Sequence, residues 1–302
     1  MVNPFCWRSS NLNKATNHMP DQLGAVALAG SSEADEFYAQ TQSFYEACAL
    51  CYEELYPDHV QASKNAAQAV ASLFHRYSVS RILDASCGLG HDIENFSKQG
   101  FNVDGADISP KMLCLAEARL KALGLSGVRL YLCDVRALKE VIPAESYDAV
   151  IFRGNTLSNL EYSDYPLAFS QMAYVLRPNG LLYVDFRDGE VHFREKRRFE
   201  FRGFHFNKAA RTLSIAWYLY RHGHTLDDTF QVSAKVISLG WSKGLFPRLR
   251  MFSLRINSHY VPEPKVFGGL EQAGFKILDK INLNGLPYLQ TYIAQKVARI
   301  HP

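Results

Sequence analysis

Cysteine is scarce in this chain: Cys6, Cys48, Cys51, Cys87, Cys114 and Cys133 are the six among 302 residues. They are too few and too scattered for the disulfide framework of a small secreted domain. Cys48 and Cys51 form one C-x-x-C, but no second Cys or His pair stands at zinc spacing, and no strand leads into it as in a redox motif. The expectation is reduced thiols in a cytoplasmic enzyme with no metal site. Long apolar runs are also missing. Nothing approaches the ~20 consecutive apolar residues of a membrane helix, and the mean hydropathy is -0.16, so no membrane partner is expected. A polar excess is absent too. Hydrophobic residues make up 47% and charged residues 21%, which excludes a mainly disordered chain. The length suits one domain of roughly 200 residues with additions. The first residues, MVNPFCWRSSNLNK, lack the apolar stretch of a signal peptide. Residues 1–35 show no period and read as a flexible leader, whose few acidic residues are also compatible with an organelle transit peptide.

What is present begins near Glu36. Residues 36–56 carry Phe44, Ala47, Cys51 and Leu55 at helical spacing until Pro57 breaks the run. Asp58 is the expected N-cap of a second helix to Tyr77, with Val60, Ala67, Val70 and Phe74 on one face. From residue 81 the pattern becomes strand, turn, helix. Apolar strands are expected at RILDAS, FNVDGAD, VRLYLCD, YDAVIFRG and GLLYVDFRD. Helices are expected after Gly90, from Pro110 to about Gly124, weakly through Val141, and from Asp164 to Arg177. A helix from Phe267 to Ala273 and strands at FKILDKINL and LQTYIAQKV complete the series. Strands alternating with helices predict an α/β, Rossmann-like, seven-stranded and mostly parallel sheet with helices on both faces. The short loop around Gly285-Leu286-Pro287 predicts a hairpin, hence one antiparallel edge strand.

Residues 188–262 break the alternation. Their short β-rich pieces predict an inserted antiparallel cap between the core segments 36–187 and 263–302. Between Arg187 and Val261 stand 14 Lys and Arg against 6 Asp and Glu, while the whole chain is only +3. The cap is the basic part, suited to an anionic ligand group or an RNA, or simply a solvated positive face.

The chemistry centres on Asp84-Ala85-Ser86-Cys87-Gly88-Leu89-Gly90. Small residues at a strand–helix turn let a ligand lie against the backbone. The dinucleotide fingerprint needs a third glycine, and Ile93 stands in its place. A nicotinamide dehydrogenase is therefore disfavoured. Asp107 ends the second strand, where a carboxylate can accept both hydroxyls of a ribose. Asp134 ends the third, where it can meet an adenine amino group while Val135 packs on the ring. Each acid alone could be a cap of a helix or turn. Together they form an acidic rim for a ligand with ribose, adenine and a positive centre but no phosphate.

This set resembles the class I S-adenosylmethionine-dependent methyltransferases over about residues 37–190 and, weakly, 263–296. FYEACALCYEELYPD resembles a Tyr-rich entry helix, and RILDASCGLGHD resembles motif I, with Ser86 where many members have glycine. Gly154-Asn155 and Asp185-Phe186-Arg187 look most like the glycine and sarcosine N-methyltransferase branch. The resemblance implies S-adenosylmethionine as cofactor, with S-adenosylhomocysteine as product. It places Asp84, Ala85, Ser86, Gly88 and Gly90 at the methionine end, and Asp107, Ile108 and Met112 at the ribose. Asp134 and Val135 would flank adenine, and Arg153 would supply backbone near the amino-acid moiety. Asn155 and Arg187 would hold the carboxylate of a small amino-acid acceptor, a fit for the planar fork of arginine. Homo-oligomers occur in the family.

Other roles compete at several positions. Arg187 can pair with Asp188 or Glu190, and Asn155 can cap a helix. Tyr52 and Tyr56, four apart, share a helix face either for packing or to shield the sulfonium. Tyr218 and Tyr220, near Trp217, would wall an acceptor pocket or pack the cap. His91 is a conceivable base or an exposed first-turn residue; water, His205 or His222 could equally accept the proton. Oxygen or sulfur methylation of another metabolite is an alternative, as is RNA methylation, with Phe199, Phe201 and Phe204 among Arg197, Arg198 and Arg202. A non-catalytic binder of the same cofactor is the alternative of another class.

Overall fold

Successive strand residues part to opposite faces, and each face builds its own core. Ile82, Ala149, Ile151, Leu181, Tyr183 and Ile293 join one cluster. Their neighbours Leu83, Val150, Leu182, Val184 and Ala294 join another. A strand with both faces apolar must be covered on both sides, which is the condition for a parallel sheet. The computed structural model describes residues 33–56, 58–187, 261–281 and 289–297. The leader before Glu33, the proposed cap strands, Trp217, Tyr218, Tyr220, His205, His222 and the loop around Gly285 lie outside the described residues.

The strands are β1 Arg81–Asp84, β2 Asn102–Asp107, β3 Leu130–Leu132, β4 Tyr147–Phe152, β5 Leu176–Arg187, β6 Phe275–Lys280 and β7 Leu289–Lys296. They form one seven-stranded sheet in the order β3-β2-β1-β4-β5-β7-β6. β1 to β5 run parallel, and β7 is antiparallel to both β5 and β6. The antiparallel strand thus lies at the expected end of the sheet, one place in from its margin. The reason is that β7 inserts between β5 and β6, so β6 becomes the outer strand.

The helices are α1 Glu33–Cys48, α2 Tyr52–Leu55, α3 Asp58–Arg76, α4 His91–Ser97, α5 Pro110–Ala122, α6 Tyr165–Val175 and α7 Glu263–Gln272. Ala66, Ala67, Val70 and Phe74 of α3, with Phe96 of α4 and Leu120 of α5, cover one face. Ala168, Phe169 and Met172 of α6, with Val266 and Leu270 of α7, cover the other. Several boundaries differ from expectation. The first helix starts at Glu33 and gives way to a 3-10 turn, Ala49–Cys51, rather than running to Tyr56. Val60 is exposed, because it lies N-terminal to the buried stripe of α3. The weak helix before Val141 is a 3-10 segment, Val135–Glu140, with a non-helical Ala137. α7 begins four residues before Phe267, with a proline in its first turn, where the missing N–H costs nothing.

Where the sequence has Ile93 in place of a third glycine, the space comes from the opposite partner. Ile93 is fully buried, and a Cβ on Gly105 of β2 would stand 2.7 Å from Ile93 Cδ1 and 2.8 Å from Cys87 Sγ. Close helix–strand approach is preserved, with the small residue moved from the helix to the strand.

Candidate active site

Parallel strands end together, so the residues that follow them meet at one edge. There a cleft of about 870 Å³, counted out to its open mouth, is walled by Ala85, Ser86, Cys87 and Gly88 after β1 and by Asp107, Ile108 and Met112 after β2. Cys133, Asp134 and Val135 follow β3, and Phe152 ends β4 with Arg153, Gly154 and Thr156 after it. Ten of the residues singled out from the sequence share this cleft: Ala85, Ser86, Gly88, Asp107, Ile108, Met112, Asp134, Val135, Arg153 and Tyr52.

Others stand apart. Asp84 lies behind the turn, 2% exposed; its Oδ1 accepts the Ser86 N–H, and its Oδ2 has no hydrogen-bond partner. Burial first, and then nearby Asp92, push its carboxyl well above the ordinary range. Gly90 faces Leu120 rather than the cleft. Tyr56 packs on Tyr52 at 4.9 Å between ring centroids but is itself exposed at the surface. Asn155 is not a wall residue; its N–H donates to Asp185 Oδ1 at 2.9 Å and its side chain donates to Ser158 Oγ. It does precede a 3-10 turn, Thr156–Asn159, though its side chain caps no N–H there. Arg187 closes β5 opposite Leu289; its side chain lies outside the described residues.

Most N–H groups of the turn after β1 are bonded within the turn or to β2. Cys87 N donates to Ala106 O, and Gly90 N to Cys87 O. Gly88 N donates to Asp107 Oδ2 at 2.8 Å. Gly88 has φ +48°, and a Cβ there would meet nothing within 4 Å. The left-handed backbone therefore demands glycine, while the space beside it stays open. Ser86 does not share that positive φ, so serine is tolerated in place of glycine; its Oγ accepts from the Thr156 hydroxyl at 3.1 Å.

Asp107 is held by backbone on both oxygens, since Oδ1 also accepts the Ser109 N–H at 2.9 Å. Burial pushes its carboxyl up to about 6 against the pull of these N–H donors, and Glu46 adds to the rise. Asp134 caps the following 3-10 turn and holds Arg136 with both oxygens. The Arg136 guanidinium in turn lies 3.2 Å from the centroid of the Tyr38 ring.

Arg153 provides more than backbone. Its guanidinium is buried and contacts both Asp92 oxygens, at 2.5 and 2.7 Å. Its Nε donates to Tyr183 Oη at 3.1 Å and lies 3.3 Å from Asp185 Oδ2. Burial raises the Asp92 carboxyl, but Arg153, His59 and Ser63 together hold it below the ordinary range. Burial likewise opposes the guanidinium charge, yet Asp92, Tyr183 and Asp185 secure it.

The remaining wall comes from the entry helices: Tyr38, Thr41, Tyr45, Tyr52 and His59. α1 is tied at both margins of the cleft. Gln42 donates to Ile108 O, and Glu46 accepts from Ser109 Oγ and Lys111 N. On the far side Tyr38 donates to Asp164, and Tyr45 accepts from Asn159 Nδ2. Tyr38, Tyr45, Asp92 and His59 were not singled out from the sequence. The tyrosine stripe was visible in it, because Tyr38, Tyr45 and Tyr52 recur every seven residues. Nothing local links Asp92 to Arg153, 61 residues away. His91 is buried rather than exposed, since α3 and α2 cover the first turn of α4. Its Nε2 lies 3.0 Å from Glu53 Oε1, close enough for an ion pair but out of line for a hydrogen bond.

Comparison with known proteins agrees with this architecture. Residues 82–180 match the family described as "Methyltransferase domain". Mouse glycine N-methyltransferase is 32% identical over 126 residues, covering 38% of this chain and 43% of that protein. The glycine/sarcosine/dimethylglycine N-methyltransferase of Actinopolyspora halophila is 32% identical over 113 residues, covering 36% of this chain and 20% of that protein. The chain thus spans less than half the length of these curated relatives. Among solved structures, 1,6-didemethyltoxoflavin-N1-methyltransferase of Burkholderia thailandensis, with bound 1,6-didemethyltoxoflavin and S-adenosylhomocysteine, superposes with TM-score 0.53 at 16% identity, covering 91% of this chain and 95% of that one. Magnesium protoporphyrin IX methyltransferase of Synechocystis gives 0.55 at 13% identity, covering 88% and 100%. Residues 82–180 thus form a methyltransferase domain, on the fold of the solved methyltransferases named above.

Proposed function

We propose that the chain transfers a methyl group from S-adenosylmethionine to the amine of a small amino acid resembling glycine or sarcosine. One observation carries the cofactor: the N–H groups of Ser86, Cys87, Gly88 and Gly90 are already bonded within the fold, and that of Gly88 orients Asp107. Such a turn suits a nucleoside without phosphates. Its wall carries Asp92, Asp107 and Asp134, and among the described residues the one guanidinium lining it is paired with Asp92 and Asp185. An acidic wall suits a sulfonium and an ammonium.

In this reading Asp107 accepts the ribose hydroxyls with the lone pairs its backbone donors leave free. Val135 and Phe152 offer apolar surface to adenine, and Asp134, its geometry fixed by Arg136, accepts from the adenine amino group. Asp84 Oδ2 is the buried acceptor still open at the methionine end; an ammonium there, directly or through water, would satisfy it. The cofactor supplies an activated methyl on sulfur. The chain's own work is to align the acceptor with that methyl and keep water out; Tyr45 and Tyr52 line the side where it would enter. Relatives whose names specify glycine or sarcosine support the acceptor class, as do Gly154-Asn155 and Arg187 at the ends of β4 and β5. The basic stretch between Arg187 and Val261 would complete the acceptor subdomain.

The test is an assay of S-adenosylhomocysteine with glycine, sarcosine, dimethylglycine, other amino acids, and RNA. Turnover with a small amino acid is expected. Turnover with RNA alone, or cofactor binding without turnover on any acceptor, would overturn the proposal. Arg187→Ala should raise the acceptor KM far more than the cofactor KM, and equal effects would remove Arg187 from the acceptor site.

A further inference from the structure

We infer that His59 orients the acceptor amine, its ring nitrogen taking an N–H of the attacking nitrogen so that the nitrogen's own lone pair faces the methyl group. The inference rests on the methyl-transfer reading and adds a positioning residue to it. Among the described residues, His59 is the one imidazole on the cleft wall. It sits where the entry helices meet the turn after β4: a Cβ added to Gly154 would lie 3.4 Å from His59 Cε1. That turn carries the Gly-Asn pair assigned to the acceptor. The ring is clamped edge-on from two sides, by Tyr52 at 5.6 Å and by His91 at 5.9 Å between centroids. A clamped ring presents its nitrogens in fixed directions.

The charge state suits this role. Burial pushes the imidazole down to about 4, with Arg153 and His91 acting in the same direction and Asp92 and Glu53 opposing them. Near neutral pH the ring is uncharged and one nitrogen keeps its lone pair. Arg153 cannot take this part, because a guanidinium only donates and this one is engaged by Asp92 and Asp185. Nor is His59 a base for an ammonium, since its basicity is far too low; the amine must arrive neutral. The acceptor nitrogen then uses its lone pair to form the N–C bond, the C–S pair leaves with sulfur, and the sulfonium becomes a neutral thioether. The positive charge moves to nitrogen, whose proton is lost to solvent after release.

A lone-pair acceptor can help only an amine that has an N–H. The experiment therefore compares glycine and sarcosine, which have one, with dimethylglycine, whose neutral amine has none. It uses the full chain and the variants His59→Phe, which keeps a flat ring, and His59→Gln, which keeps an acceptor. The Phe variant should lose about tenfold to 100-fold in kcat/KM on glycine, equivalent to ~1.4–2.7 kcal/mol. Its effect on dimethylglycine should be small where that acceptor is used. The Gln variant should recover most of the loss, and cofactor affinity by calorimetry should be unchanged in both. In the complex with S-adenosylhomocysteine, the nitrogen-15 resonance of the unprotonated His59 nitrogen should move when glycine is added.

A Phe variant with wild-type kcat/KM on glycine would overturn the inference alone. So would a parallel loss of cofactor affinity, which would put His59 on the cofactor. Wild-type protein with no turnover on any amine would overturn the methyl-transfer reading and this inference together. If the Phe variant does not fold, the wild-type resonance decides: a His59 signal indifferent to glycine refutes the assignment.

Discussion

The two halves of the cleft hold their polar groups in opposite ways. On the β1–β3 side, Asp107 is fixed by two backbone N–H groups and the turn by its own amides. Around the end of β4, Arg153 is held by the side chains of Asp92 from α4 and of Asp185 and Tyr183 from β5, with Asp185 also taking the Asn155 N–H. Backbone anchoring depends on main-chain geometry and little on which side chains surround it. A side-chain network can be rebuilt when one member changes. The first suits a ligand part that is always the same, and the second a part that varies among enzymes of one fold.

The largest effect expected is on the network. Arg153→Ala strands two buried carboxylates and should cost ~3–5 kcal/mol of stability, read as a fall in denaturation midpoint. A loss below ~1 kcal/mol would mean that the network behaves like a surface pair and that the contrast is false. Next comes the backbone side. Gly88→Val places a branched side chain at positive φ in open space reserved for the ligand. It should weaken cofactor binding at least ~100-fold, or ~2.7 kcal/mol, with the chain still folded. Calorimetry showing unchanged affinity would remove the cofactor from this turn.

Gly105→Ala tests the packing beneath the turn. Its Cβ would overlap Ile93 and Cys87, for a cost of ~1–3 kcal/mol. Ile93→Ala in the same chain should return part of that loss, and strict additivity in a double-mutant cycle would break the proposed exchange of small and large residues. The smallest effect is on pH. Asp107 titrates near 6 when folded, above its unfolded range. Its contribution to stability is therefore complete at low pH and is lost as pH rises through about 6. Ribose hydroxyls favour the ionised carboxylate, so cofactor affinity should fall up to ~tenfold per unit below that pH. A flat affinity profile from pH 5 to 7 would detach Asp107 from the ribose.

The sheet and most of the β1–β3 side were legible in the sequence because their signals are local. Apolar strand runs, glycines at the turn and acids at strand ends lie within a few residues of one another. The β4–β5 side was not legible in the same way. Asp92 reads as an ordinary acid in the first turn of a helix, and its partner Arg153 as the last residue of a strand; only the fold brings them together. His91 illustrates the same limit, since a polar first-turn residue looks exposed until α2 and α3 are laid over it. Ile93 shows the reverse: the missing glycine was evident, but its replacement by Gly105 on a neighbouring strand was not.

The ties of α1 have a consequence for timing. α1 is fastened to both rims, by Glu46 and Gln42 on one and by Tyr38 and Tyr45 on the other, so loosening either row would be expected to speed the release of spent cofactor. The turnover rate of such an enzyme can be tuned from its lid without altering a single atom that touches the methyl group.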